Sequence, residues 1–79
     1  MKEVLRMKVQ VLFYNTGLMG VYTTHQKAMQ AMLLDALDKG WKLVEYMYDM
    51  GVEFFTFDRG DELDNVIYEM QEVSLNERA

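Results

Sequence analysis

The sequence contains no cysteine and no proline among its 79 residues. Without cysteine, neither a disulfide nor a thiolate-bound metal can stabilise the fold. A single domain is expected, and a chain this short buries only about 60–65% of the surface that its unfolded form exposes. Two ways to gain burial remain, an unusually apolar core and self-association. The hydrophobic fraction of 51% and the aromatic fraction of 13% permit both.

Long apolar segments are missing as well. In the first predicted strand the longest unbroken apolar run is Val11 to Tyr14, which is too short for a signal peptide or a membrane span. We therefore expect a cytoplasmic protein that has no membrane partner.

Basic residues are scarce in the second half of the chain. Residues 1–42 contain six basic and three acidic side chains, whereas residues 43–79 contain two basic and ten acidic ones. Halves of opposite sign attract each other within one fold, so direct binding of nucleic acid is not expected. The acidic half could instead present a carboxylate-rich face to a basic protein partner.

Groups for covalent catalysis are few, because the chain has one histidine and one serine. His25 is predicted in the first turn of a helix, where burial and the positive helix end disfavour its protonated form. Ser74 lies among acidic residues near the end of the chain. No nucleophile and base are paired in the sequence, so we predict a protein that is not an enzyme.

Metal and phosphate sites are not predicted either. Four acids cluster in one loop, but they lack the alternating spacing, glycine and distal glutamate of a calcium-binding EF-hand. These acids are Asp58, Asp61, Glu62 and Asp64. Gly17 and Gly20 are not followed by the lysine of a phosphate-binding loop. No cofactor is expected.

One long helix is predicted from Tyr22 to Lys39. Thr23 followed by Gln26 matches a capping box, and Gly40 can adopt the left-handed conformation that ends a helix. An apolar stripe of helical periodicity would cover one face of a sheet. Its members are His25, Met29, Met32, Leu33, Ala36 and Leu37.

The remaining segments read as strands and turns. Strands are predicted over residues 4–14, 18–22, 41–48 and 52–57. Gly17 is expected to supply the positive φ of the first hairpin, and Asp49-Met50-Gly51 a type I turn followed by a left-handed glycine. The pattern of residues 62–75 fits a helix behind an Asp61 cap or a strand.

Two stretches of the chain carry recognisable motifs, namely VLFYN, a glycine turn, GVYTT and QKAMQAM in the first and YEMQEVSL in the second. They resemble a class of small, mostly uncharacterised proteins of bacteriophages and their bacterial hosts, in which a hairpin ending in GVYSS or GVFSS is followed by an EKAEEA-type helix. YEMQEVSL is similar to the YEIEEVEL-like strand that closes those chains. The similarity covers residues 9–39 and 68–75; it implies a fold and a phage setting, with the host cytoplasm as location, but no activity.

The expected fold is therefore α+β. Four to five antiparallel strands form one sheet, in the order ββαβββ, with one helix packed on one face. The alternative is ββαββα, with a C-terminal helix.

Both faces of the predicted aromatic hairpin, residues 41–57, are apolar, and one helix can cover only one sheet face. Some of Tyr46, Tyr48, Phe55 and Phe57 are then expected to point outward and form an interface. Acids beside them would contact a basic partner. The predicted contact acids are Glu45, Asp49, Glu53, Asp58, Asp61, Glu62 and Asp64.

The function predicted from these features is a non-catalytic, phage-type accessory protein. It would self-associate and inhibit a host protein, such as a defence or nucleic-acid enzyme, as anti-CRISPR and anti-restriction proteins do. The alternative is a small-molecule-binding protein that sequesters a nucleotide signal. In that case Trp41, Tyr46 and Tyr48 would stack on the base, while Lys39 and Lys42 would lie at the phosphates.

Overall fold

Five strands and one helix form the part of the chain that the computed structural model describes, residues 5–60 and 63–77, with side chains from 8–60 and 63–74. The elements are β1 (Leu5–Tyr14), β2 (Gly17–Tyr22), α1 (His25–Asp38), β3 (Lys42–Asp49), β4 (Val52–Asp58) and β5 (Val66–Glu77). The predicted α+β fold and the order ββαβββ are confirmed. The last segment is a strand, so the alternative with a C-terminal helix is wrong.

The strands form one antiparallel sheet in the order β2-β1-β5-β4-β3. The last strand of the chain is therefore the central one, inserted between two hairpins. Its residues alternate, and Val66, Tyr68 and Met70 are buried while the residues between them are not. This alternation is the pattern of a strand with one face on the core.

Both hairpins use two-residue turns of type I′. Asn15 and Thr16 have φ values of 49° and 73°, and Met50 and Gly51 have values of 50° and 83°. Two positive φ values at the central positions define type I′, whose twist matches that of the flanking strands. The prediction that Gly17 supplies the positive φ was wrong, and so was the type I turn at residues 49–51.

The helix begins one residue later than the capping-box pattern indicates. Thr24, rather than Thr23, is the N-cap, and its hydroxyl accepts a hydrogen bond from the backbone N–H of Lys27 at 3.0 Å. At the other end Gly40 has a φ of 75°, and the backbone N–H groups of Gly40 and Trp41 donate to carbonyls of the last turn. That C-terminal glycine cap is as predicted.

The buried face of α1 is centred on Ala28, Met32 and Ala36, with Met29 and Leu33 at its border. Small residues at two of these positions let the helix lie close to the sheet. The predicted stripe was rotated relative to this face, because two of its members, His25 and Leu37, are exposed. In the core the helix meets Leu12, Phe55, Phe57, Val66, Tyr68 and Met70.

The sheet is long for the size of the chain. The principal-axis extents of the molecule are 59 × 24 × 18 Å and its radius of gyration is 15.0 Å, against about 12 Å expected for a compact domain of this length. Beyond the last pairs with β2 and β4, only β1 and β5 continue, from Val9↔Val73 to Leu5↔Glu77. In the described residues, no helix is long and apolar enough to cross a membrane.

Candidate binding surface

The sheet face opposite α1 is not covered by any element of the described chain. The strand registers place one residue from each strand in a row across it: Leu18, Phe13, Glu69, Phe54 and Met47. Residues directly opposite each other in antiparallel strands point to the same face. The row therefore has an acidic centre with two apolar residues on each side.

A second row runs parallel to the first and contains Val21, Val11, Gln71, Val52 and Asp49. A shorter row of Ile67, Thr56 and Glu45 borders it on the other side. We call these thirteen residues of the three rows the open face. In a sheet with one solvated face the outward residues are usually polar, whereas eight of these thirteen are aliphatic, aromatic or methionine.

The three charged residues of the open face are all acidic. Glu69 lies at its centre, and Glu45 and Asp49 lie along the β3 border. Beyond the border, the register places Lys42 opposite Asp58. Among the described side chains no ion pair or hydrogen bond involves Glu69, so none of them compensates its charge.

The four predicted interface rings are divided between the core and the surface. Phe55 and Phe57 are buried, with only 3% and 1% of their surface exposed, so the prediction that they form an interface was wrong. They lie opposite Tyr68 and Val66 of β5, under the helix. Tyr46 and Tyr48 are 51% and 64% exposed, on the helix-side face but outside the core that α1 covers.

The predicted contact acids also separate. Glu45 and Asp49 belong to the open face, whereas Glu53 is on the helix side. Asp58 accepts a hydrogen bond from the N–H of Gly60 and shapes a turn, and Asp64 is exposed beyond that turn. Asp61 and Glu62 lie outside the described residues. Within the described residues, no three histidine or acidic side chains are grouped closely enough to hold a metal ion.

A polar cluster surrounds the start of the helix. Glu53 accepts a hydrogen bond from the Tyr46 hydroxyl at 2.7 Å, and its other oxygen lies 2.7 Å from His25 Nε2. The hydrogen bond to Glu53 raises the pKa of Tyr46. His25 and Glu53 border a depression of about 400 Å³ that Gln10 and Glu72 also line. The exposed side chain of His25 binds β4 here, rather than packing on the apolar face as the sequence pattern indicated.

A second cluster holds the end of the helix to the sheet. Asp35 accepts hydrogen bonds from the Tyr68 hydroxyl at 2.6 Å and from Lys39 Nζ at 3.0 Å. The ammonium group of Lys39 also lies 4.7 Å from the ring centre of Trp41 and 5.3 Å from that of Tyr14. Lys39 is thus engaged within the fold, and Trp41 stacks on Tyr14. This arrangement offers no support for the base-stacking site of the alternative function.

Sequence reasoning missed most of the open face, including Phe13, Phe54 and Glu69. The only available signal was in β5, where Tyr68 and Met70 alternate with Glu69 and Gln71. This alternation identifies which side of the central strand is buried. Nothing in the sequence shows that Glu69 lies between Phe13 and Phe54, because that depends on pairing between distant strands.

No family model matches the chain, and neither the curated proteins nor the solved structures contain a significant match to it.

Proposed function

We propose that this protein is a non-catalytic, phage-type accessory protein that binds a host protein and inhibits it. The observation that carries the proposal is the open face, a largely apolar sheet surface with no element of the described chain over it. Its apolar side chains are exposed at Leu18, Val21, Met47 and Ile67 and partly exposed at Val11, Phe13, Val52 and Phe54. Uncovered apolar side chains of this kind are typical of protein–protein interfaces. The resemblance to phage and bacterial proteins supplies the biological setting.

The negative charge of the open face indicates which kind of host protein it would bind. Carboxylates on an apolar surface favour a basic partner, both by steering its approach and by rejecting acidic surfaces. Restriction enzymes and CRISPR nucleases have basic channels that hold nucleic acid. A small acidic protein bound in such a channel would block the substrate, so the proposed targets are defence or nucleic-acid enzymes.

We also propose that the protein acts as a homo-oligomer that forms through β3. All eight residues of this edge strand are exposed, and one of its two edges is unpaired in the described sheet. Unpaired edges with exposed apolar side chains favour pairing with another strand. The exposed apolar residues of β3 and its turn are Leu43, Val44, Tyr46, Met47, Tyr48 and Met50.

A phage-plating experiment tests the proposed inhibition. Bacteria that carry either a restriction system or a CRISPR nuclease would express the chain, and plating of a sensitive phage would be measured. We expect plating to rise at least tenfold against one of these defences. The double variant Val21→Lys with Ile67→Lys, which alters the open face, should remove the effect.

The matched control is Leu34→Lys with Leu37→Lys, which adds the same charge at exposed helix positions away from the open face. It should inhibit as the unaltered chain does. Circular dichroism melting curves would verify that both double variants are folded. Unchanged plating with the unaltered chain would contradict the inhibitor proposal, and equal loss in both double variants would contradict the role of the open face.

A further inference from the structure

The position of Glu69 restricts what can cover the open face. Glu69 is partly buried on the central strand, directly between Phe13 of β1 and Phe54 of β4. Any partner that covers the two rings must also remove water from this carboxylate. Burying a carboxylate is costly unless an opposite charge and hydrogen bonds compensate for it.

The chain does not supply that opposite charge within the described residues. The strand registers place Lys42 on the same side of the sheet, but it is on the far edge strand and opposite Asp58. Lys8 lies near Glu72, and Lys39 is bound to Asp35. None of these described cations pairs with Glu69, so we expect the partner to carry the opposite charge.

A second copy of this chain does not fit the open face. A two-fold axis through the centre of the face would bring the two Glu69 carboxylates together in a desolvated layer. Like charges in such a layer repel each other, and the flanking Glu45 and Asp49 add to the repulsion. Self-association is therefore assigned to β3, and the open face is assigned to binding of a different protein.

We propose that the open face binds a protein element that carries an apolar stripe with one arginine or lysine at its centre, which pairs with Glu69. This inference rests on the proposed function and specifies the chemistry of the partner. Arginine suits the site best, because its weakly hydrated, planar guanidinium can bind a carboxylate through two hydrogen bonds while it stacks on aromatic rings. Phe13 and Phe54 provide the rings on either side of the carboxylate.

A helix is the simplest element to test, because an uncovered sheet face is commonly covered by an amphipathic helix. The probes are three helical peptides of 16 residues, roughly 24 Å long, with the same leucine stripe. They differ only in the central residue of the stripe, which is arginine, glutamine or glutamate. Fluorescence anisotropy would give the dissociation constant of each peptide for the full chain.

We expect the arginine peptide to bind at least tenfold more tightly than the glutamate peptide. Glu69→Gln should bring this ratio close to one, and Glu69→Lys should reverse the preference. The matched control, Glu72→Gln, alters an acid of the same strand on the opposite face and should preserve the ratio. Chemical-shift changes should centre on Phe13, Phe54 and Glu69.

Several outcomes would overturn the inference. They are equal affinities for the three peptides, no binding of any of them, or an arginine preference that survives Glu69→Gln. Intermolecular NOEs between the open faces of two copies of the chain would also overturn it. A plating effect without peptide selectivity would refute the Glu69 inference alone, whereas peptide selectivity without a plating effect would refute the inhibitor proposal alone.

Discussion

The Tyr68 side chain is buried in the core, yet its hydroxyl reaches a carboxylate near the surface of the helix. It donates a hydrogen bond to Asp35, and Lys39 donates to the same carboxylate oxygen. The hydrogen bond from Tyr68, followed by that from Lys39 and its charge, lowers the pKa of Asp35 below 3.8 against the opposing effect of burial. Burial and the bond to Asp35 raise the pKa of Tyr68.

Removing the Tyr68 hydroxyl should destabilise the protein. We expect Tyr68→Phe to lower the free energy of unfolding by about 1–2 kcal/mol at pH 7, because a hydrogen bond to a charged group is lost. The pKa of Asp35 should rise toward its usual value. Guanidinium unfolding would give the free energy, and NMR titration of the carboxyl group would give the pKa.

The dependence of folding stability on acidic pH provides a second measurement of the same effect. A carboxyl group whose pKa is lower in the folded state stabilises the fold at neutral pH, and this stability is lost as the pH falls below about 4. Tyr68→Phe should therefore lose less stability than the unaltered chain between pH 5 and pH 2, about the range over which such a group titrates. Tyr14→Phe is the control, since no hydrogen bond of the Tyr14 hydroxyl is among those described; an equal effect there would contradict the role of Asp35.

At the scale of single elements, the two hairpins depend on turns whose residues only partly suit them. Type I′ turns favour Asn-Gly, with positive φ at both central residues. The first turn has Asn15-Thr16, and the second has Met50-Gly51. Each turn therefore has one residue that favours type I′ and one that does not. Pairing of the flanking strands must contribute to the stability of both turns.

Replacing Thr16 by glycine should stabilise the first hairpin. A β-branched residue at a φ of 73° is strained by about 1–2 kcal/mol, and glycine removes this strain at an entropic cost of about 0.5–1 kcal/mol. We expect Thr16→Gly to raise the free energy of unfolding by about 0.5–1 kcal/mol, measured by guanidinium denaturation. The control Thr56→Gly, within β4, should lower it by about 1 kcal/mol. Destabilisation by both variants would show that Thr16 is not strained.

At the scale of the whole molecule, one helix covers part of one face of a five-stranded sheet. The helix packs on the core side of the sheet but does not cover β3, and no element of the described residues packs on the other face. The β1–β5 ribbon extends further still, and an isolated two-stranded ribbon is only marginally stable. The molecule therefore has more sheet surface than its own helix can shield.

Self-association should relieve part of this exposure. We expect light scattering at micromolar concentration to show a dimer or larger species, because β3 has an unpaired edge and exposed apolar side chains. Leu43→Lys with Tyr48→Lys should shift the protein toward the monomer. Leu34→Lys with Leu37→Lys changes the charge equally on the helix and should leave the assembly intact. A monomer of 9.3 kDa for the unaltered chain would contradict the prediction.

The sequence alone determined the order of the first five elements and the end of the helix, and it left residues 62–75 open between helix and strand. Periodicity of 2 or 3.6 residues is a local property, so the strands and the helix could be located without knowing their partners. Gly40 could be identified as the helix end because glycine adopts positive φ at little cost. The N-cap was missed because two neighbouring threonines give nearly the same capping pattern. The turn types were missed because alternative turn geometries also share nearly the same local pattern.

Only the tertiary structure decided which face of each strand the helix covers. Both faces of β4 carry phenylalanine, so local alternation could not show that Phe55 and Phe57 are inside and that Phe54 is outside. The insertion of β5 between β1 and β4 settles this, because Tyr68 on its buried side lies opposite Phe55. The same insertion brings Glu69 between Phe13 and Phe54. Such placement depends on contacts between residues far apart in the chain, which no short sequence pattern encodes.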